Sequence, residues 1–409
     1  MDQITIERLG ALGDGVAQQG ADAIFAPFTL PGDVVEGEIA DGRMAAPRVI
    51  TPSPQRQAAP CPHFGTCGGC AVQHGEDAFI AAWKRDQVIA ALAHRGIEGV
   101  DVRETLTSPT RSRRRATFSA RRTKKTVQIG FHAARSDTLI PIEVCEVLRP
   151  ELLAAREAIT DAVRIGGSRK GVMRATVTLT ENGVDMSIDG GKPLGDIWAA
   201  AAAMAEAHDL ARLTWNGEPV VTRRPPTLPM GAAHVAPPPG GFLQATAEGE
   251  AALIACAVEA LALPKRARIV DIFAGCGTFT LPFADRTEVH AVEGEKSLLH
   301  ALSNGWRAVG GLAQVTTETR DLARRPLLAA EFKNFDAAII DPPRAGAATQ
   351  TEEIAKSELT KLASISCDPA TFARDARTLL DAGWKLNWVQ PVDQFRWSPH
   401  VELAAAFSR

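Results

Sequence analysis

Cys367 stands in the stretch SISCDPATFARD, residues 364–375, at the end of an apolar run and just before a helix-compatible segment. Free cysteine is among the most buried residue types, so one reading makes it a small apolar residue closing a strand. The other makes it a nucleophile held at a strand end. Glu402, in SPHVELAAAF, begins the last strand candidate of the chain. It is either a solvated strand-end carboxylate or a general base. Asp341, Pro342, Pro343 and Arg344 close a third such strand, FDAAIIDPPRAG. Asp368 suits the cap position of the helix ATFARDARTLL. Its carboxylate, next to Cys367, opposes thiolate formation.

A second group of residues forms a ligand-binding turn. DIFAGCGTF runs from a strand into a G-x-G arrangement at Gly275 and Gly277, where the backbone can approach a ligand closely. Glu293 ends the next strand, VHAVEG, where an acidic side chain can hold a ribose hydroxyl pair. Asp321 follows the third strand, within reach of an adenine edge. The dinucleotide fingerprint requires a third glycine for close helix packing, and Thr280 occupies that position. The partial fingerprint fits a nucleoside without pyrophosphate, such as S-adenosylmethionine, better than NAD.

A third group is made of thiols. CPHFGTCGGC places Cys61, Cys67 and Cys70 at C-x5-C-x2-C spacing, and PIEVCEVLRP supplies Cys145. Four thiolates can hold zinc, but structural zinc sites usually come as two separated C-x-x-C pairs. Three close cysteines and one distant one are nearer the iron–sulfur pattern. Cys256 and Cys276 read as packing residues. A fourth group is basic: RSRRRATFSARRTKKT, residues 111–126, holds eight Lys and Arg and no acidic residue. That is the footprint of local phosphate contact, with Arg113 and Arg115 expected on one side of a strand and Arg114 on the other.

The elements that must position these groups follow from patterning. The chain has 409 residues, 45% hydrophobic and 23% charged, enough for two or three cores. A net charge of −3 provides no global basic field, so a nucleic-acid partner would have to meet local patches. No secretory signal and no membrane-length apolar run is visible, so a cytoplasmic protein without membrane contact is expected. No obligate protein partner is evident. Residues 1–57 give short alternating runs broken by glycine turns, as in a small oligonucleotide-binding type of barrel. Residues 58–238 form a mixed α+β middle unit closed by APPPGG. From 239 to 409, seven strand candidates alternate with helices. This predicts an α/β unit with a mostly parallel sheet covered on both faces, its ligands beyond the carboxyl ends of the strands.

Together the motifs FLQATAEGE, DIFAGCGTFTLP, AVEG, DPPRAG, SCDPATFARD and HVELAAAFSR resemble the RNA 5-methyluridine methyltransferase family, in order and across residues 242–409. The resemblance implies a class I methyltransferase fold, with Cys367 as nucleophile and Glu402 as proton-abstracting base. It implies that Gln244, Phe273, Thr278, Glu293, Asp321 and Asp341 contact or frame S-adenosylmethionine. It extends to the cysteines, where many members hold a four-iron four-sulfur cluster on residues matching Cys61, Cys67, Cys70 and Cys145. The N-terminal unit resembles a TRAM-type RNA-binding domain. Barrel and cysteines together are similar to the ribosomal-RNA branch, which makes large-subunit ribosomal RNA the expected substrate and transfer RNA the nearest alternative. An inactive RNA-binding iron–sulfur protein is the rival from another class. Cytosine methylation is disfavoured, since DPPRAG lacks the cysteine common to that loop in cytosine-C5 enzymes. Family members often carry Asn where Asp368 stands.

Overall fold

The computed structural model describes residues 1–409. Six short strands, β1 (Asp2–Thr5), β2 (Arg8–Leu9), β3 (Gly15–Gln19), β4 (Asp22–Ala26), β5 (Val34–Gly37) and β6 (Arg48–Thr51), form two three-stranded sheets. Their inward residues, among them Ile4, Ile6, Ile24, Val35 and Met44, share one small core. A bridge between Phe25 and Arg43 ties β4 to the segment between β5 and β6. Alternation of apolar and polar residues along each run gives one face to this core and the other to water.

The next segment holds α1 (Asp77–Ala93), β7 (Asp101–Val102) and β8 (Leu106–Thr107). It falls inside 58–238 but packs with the C-terminal unit: β7 and β8 both pair in parallel with a strand of the last sheet, Lys385–Asp393. The reason is visible on α1, where Lys84 is fully buried and ion-paired to buried Asp393. A charge so far from water needs such a partner.

The middle sheet follows, in order β11-β10-β9-β12-β13-β14-β15. Its strands are β9 (Arg115–Arg122), β10 (Val127–His132), β11 (Leu139–Pro141), β12 (Met173–Thr180), β13 (Gly183–Asp189), β14 (Arg212–Trp215) and β15 (Glu218–Thr222). Helices α2 (Pro150–Ala154), α3 (Arg156–Gly166) and α4 (Trp198–Ala207) belong to the same unit, and apolar residues of all three enter its core. A hairpin, β16 (Leu228–Met230) and β17 (Ala233–Val235), leads out of it.

The C-terminal unit opens with α5 (Ala247–Leu261). There follow β18 (Arg268–Ile272), α6 (Thr280–Phe283), β19 (Glu288–Glu293), α7 (Lys296–Arg307), β20 (Val315–Thr319), β21 (Ala337–Ile340), α8 (Ala348–Lys356), β22 (Lys361–Ser366), α9 (Pro369–Asp381), β23 (Lys385–Asp393) and β24 (Glu402–Ser408). All seven strand candidates are strands. Their order is β20-β19-β18-β21-β22-β24-β23, parallel except for β24, which runs against both neighbours. Every residue of β21 is buried, as its unbroken apolar sequence requires for a strand covered on both faces. The antiparallel β24 brings its first residue, Glu402, to the edge where β18, β19, β21 and β22 end. No helix is long and apolar enough to cross a membrane.

Candidate active site and cysteine cavity

The strand ends gather the chemistry. Cys367 follows β22 directly and is half-buried, while Glu402 is 3% exposed with Oε2 lacking any hydrogen-bond partner. Burial, reinforced by the Asp341 carboxylate, pushes Glu402 up to about 8. Burial and the negative charges of Glu402 and Asp341 push the Cys367 thiol up to about 11. Asp341, after β21, is pushed up to about 7 by burial and by Asp271. Asp271 itself, wholly buried in β18, also rises to about 7. These groups feel one another because they share a pocket from which water is largely excluded.

Two glutamines bind this pocket together. Gln244 Nε2 donates to Asp341 Oδ2 at 3.4 Å. Gln394 Nε2 donates to Gln244 Oε1, and its own Oε1 accepts from the Ala245 amide at 2.7 Å. Asp368 Oδ1 accepts from the Ala370 and Thr371 amides as the cap of α9, and Oδ2 meets Arg344 Nε at 3.4 Å. Its charge is thereby engaged away from the thiol, and it ranks last among the influences on Cys367.

The glycine turn lies beside this pocket. Phe273 takes φ +66° and Gly277 φ +104°, a region that costs a side chain energy. A Cβ on Gly277 would also press on Leu281 and Leu302 at about 3.0 Å. Glu293 spans the turn: its Oε2 accepts from the Gly275 amide and its Oε1 from the Glu295 amide, both at 3.0 Å. Thr278 is half-buried in the same turn. Thr280, at the site of the missing third glycine, is buried and donates its hydroxyl to Asp271 Oδ2 at 2.5 Å. Asp321 is exposed beyond β20 and accepts from the Ala323 and Arg324 amides, with no bond to the other site residues. Asp271 and Gln394 were not singled out from the sequence. Asp271 opens the motif DIFAGCGTF and Gln394 lies a few residues ahead of SPHVELAAAF, and neither position signals its role.

Cys367 opens onto a groove of about 700 Å³ between three parts of the chain. Arg8 and Leu12 come from the N-terminal unit, Trp83 and Arg95 from α1 and its end, and Arg344 and His400 from the catalytic loops.

The basic stretch divides in two. Arg114 turns inward, donating to Glu250 at 2.6 Å and to the Gln244 carbonyl at 3.2 Å. Arg115 donates to the Gly240 carbonyl at 2.8 Å, and Arg113 lies largely buried over the Phe395 ring. These three arginines join the middle unit to the catalytic one. Arg121, Arg122, Lys124 and Lys125 stay exposed where β9 turns into β10.

Cys61, Cys67, Cys70 and Cys145 line one largely apolar cavity of about 340 Å³, together with Arg113 and Phe131. Burial pushes the Cys70 thiol up to about 12, with the three neighbouring thiols opposing its ionisation further. No three His, Cys, Asp or Glu side chains are grouped closely enough to hold a metal ion as they stand. The donor set is therefore present around one space, while single-ion geometry is not.

Residues 236–409 match the family model described as tRNA (uracil-5-)-methyltransferase. An uncharacterized RNA methyltransferase of Brucella suis is 42% identical, covering 100% of this chain and 98% of its own. The 23S rRNA (uracil(1939)-C(5))-methyltransferase RlmD of Klebsiella pneumoniae is 31% identical over 99% of this chain and 95% of its own. The tRNA (uracil-54, C5)-methyltransferase of Pyrococcus abyssi, solved with S-adenosyl-L-homocysteine, superposes with a TM-score of 0.76 at 20% identity, over 99% of each chain. That likeness establishes the fold. The chain belongs to the RNA (uracil-5-)-methyltransferase family and is an S-adenosylmethionine-dependent enzyme that methylates uracil C5 in RNA.

Proposed function

We propose that the enzyme methylates a specific uridine of structured RNA, best supported as large-subunit ribosomal RNA, through a covalent adduct on Cys367. The observation that carries this reading is the pairing of a thiol facing the groove with a buried carboxyl whose Oε2 has no hydrogen-bond partner. C5 of uracil is a poor nucleophile. S-adenosylmethionine supplies an electrophilic methyl on a sulfonium, framed by Gln244, Phe273, Thr278, Glu293, Asp321 and Asp341. Cys367 Sγ, as thiolate, bonds to C6 and shifts electron density to C5. Once C5 carries the methyl, Glu402 takes the C5 proton, the C5–C6 double bond re-forms and the thiolate leaves. A raised carboxyl suits this role, since a base near the working pH transfers protons efficiently. The target base must be unpaired or flipped from its stack to present C6 to a thiol.

Ribosomal RNA is supported by the full-length likeness to RlmD. Transfer RNA is the second reading, supported by the name of the family model. Methyl transfer from labelled S-adenosylmethionine to unmodified total RNA, fractionated by size, distinguishes them. Labelled 5-methyluridine in the large ribosomal RNA supports the first reading. The same label in transfer RNA replaces the substrate and keeps the chemistry.

The four cysteines are read as ligands of a four-iron four-sulfur cluster. Support comes from the donor set around one cavity, the spacing of the cysteines and the family resemblance. The cluster's part here is to fasten the cysteine loop, since the methyl-transfer scheme consumes no electrons. Iron and acid-labile sulfide measured on protein purified without oxygen test this; zinc in their place would overturn it. The N-terminal unit, 1–57, is read as a TRAM-like RNA-binding barrel. The middle unit, 58–238, is read as the bearer of cysteines and basic hairpin, and 239–409 as the methyltransferase.

A further inference from the structure

The loop 394–401 joins β23 to β24 and delivers Glu402 to the pocket. Its near end is anchored by Asp393 on Lys84 and by Gln394 on Gln244. Its middle is Trp397, 3% exposed and held at φ +61°, where a bulky side chain rests only if its surroundings enforce it. Those surroundings are specific. The Trp397 carbonyl accepts from both the Ala71 and Val72 amides, at 2.8 and 3.1 Å, immediately after Cys70. Its indole Nε1 donates to Asp77 Oδ1 at 3.3 Å, and Asp77 also binds Arg396, whose guanidinium lies 4.8 Å over the indole. The ring packs with Leu9 and Leu30 of the N-terminal unit, Val72 of the cysteine loop and Trp83 of α1. A second link runs from the cysteine cavity through Arg113 to the Phe395 ring, which meets His400 edge-on at 6.1 Å.

We infer that Trp397 is a positioning residue, through which the cysteine loop and Asp77 hold the catalytic loop so that Glu402 reaches the C5 proton. The inference rests on the proposed role of Glu402. Trp397 does not line the groove in front of Cys367; it sets where the strand carrying the base begins. A displacement of about 1 Å there can cost up to ~10²-fold in rate. Cys367 rides on β22 and α9 and the glycine turn on β18, elements other than the loop that this clasp holds.

The test compares Trp397→Gly, which accepts the positive φ but loses the ring, and Asp77→Ala, whose side chain is mostly exposed, with Glu402→Gln. Each is mixed with RNA and S-adenosylmethionine, and the covalent protein–RNA complex is followed beside turnover and cofactor binding. The expected result is unchanged cofactor binding, about tenfold slower turnover, and accumulation of the complex, as in Glu402→Gln. Normal turnover without the complex in either variant overturns the positioning role. So does joint loss of cofactor binding and complex formation, which marks a general structural role. If Trp397→Gly does not fold, Asp77→Ala decides alone. If Glu402→Gln itself turns over normally, the base assignment falls and the positioning role with it.

Discussion

Arg114 Nη2 and Glu250 Oε2 lie 2.6 Å apart where both side chains are nearly excluded from water. One belongs to the segment leading into the middle sheet, the other to the first helix of the catalytic unit. The pair ties those units together directly beside Gln244, whose carbonyl also accepts from Arg114. A residue in the centre of a basic run is here an internal fastener.

Removing one partner of such a pair leaves a buried charge alone, at a cost of about 3–5 kcal/mol. Arg114→Ala is expected to lose stability of that order in denaturant unfolding. Glu250 is already raised by burial and is lowered only by Arg114. Without the arginine it rises further, so the loss deepens as pH increases and shrinks in acid. The double variant Arg114→Met, Glu250→Leu is expected to recover most of the loss, and equal instability in single and double variants would contradict this account.

Cys367→Ala is expected to abolish methyl transfer while S-adenosylmethionine binding, measured by calorimetry, is retained. Full residual activity would remove Cys367 from the mechanism. The thiol's elevation to about 11 adds a second expectation for the cofactor-free protein. Only thiolate reacts with iodoacetamide, so labelling of Cys367 should rise about tenfold per pH unit from neutral pH towards that value. A plateau near pH 7 would show that the neighbouring carboxylates do not raise it.

Much of this site was legible because the central strands of the C-terminal sheet are largely apolar runs with a candidate residue at or just beyond the end. DIFAG, AVEG, DPPR and SCD were found by that rule, and β24 carried Glu402 to the same edge by running antiparallel. What stayed hidden depends on partners distant in sequence. Lys84 draws α1 onto the catalytic sheet because Asp393 waits there, and no local pattern announces it. Arg113, Arg114 and Arg115 read as a phosphate-binding face because charge, not its partner, is what a sequence displays. Thr280 read only as an absent glycine, although its hydroxyl holds the buried Asp271.

Glu402 makes stability depend on pH in a definite direction. Its folded value of about 8 lies above the ordinary 4.5, so folding favours the protonated form. That contribution is complete below the unfolded value and is lost as pH rises through the folded one. Glu402→Gln, which cannot ionise, is therefore expected to be more stable to denaturant unfolding than the parent at pH 8, by an amount on the order of a few kcal/mol at most. The difference should vanish near pH 4. A parent protein equally stable at both pH values relative to the variant would place Glu402 in contact with water.

The exposed cations at the β9–β10 turn are the part of the basic stretch left free for RNA. Arg121, Arg122, Lys124 and Lys125 project from a hairpin whose inner arginines are committed to Glu250 and Gly240. Contact with phosphate charge rather than a base edge predicts that their loss weakens binding to matched and mismatched RNA alike. Each phosphate contact removed should reduce the salt dependence of binding by about 0.7–0.9 in the log–log slope. Replacing Lys124 and Lys125 by Gln is expected to lower the slope by one to two contacts' worth, with the rate at saturating RNA unchanged, since the hairpin lies outside the carboxyl pocket. An unchanged slope, measured by filter binding across salt concentrations, would show that the RNA passes elsewhere. The groove lined by Arg8, Arg95 and Arg344 in front of Cys367 would then be the surface to neutralise next.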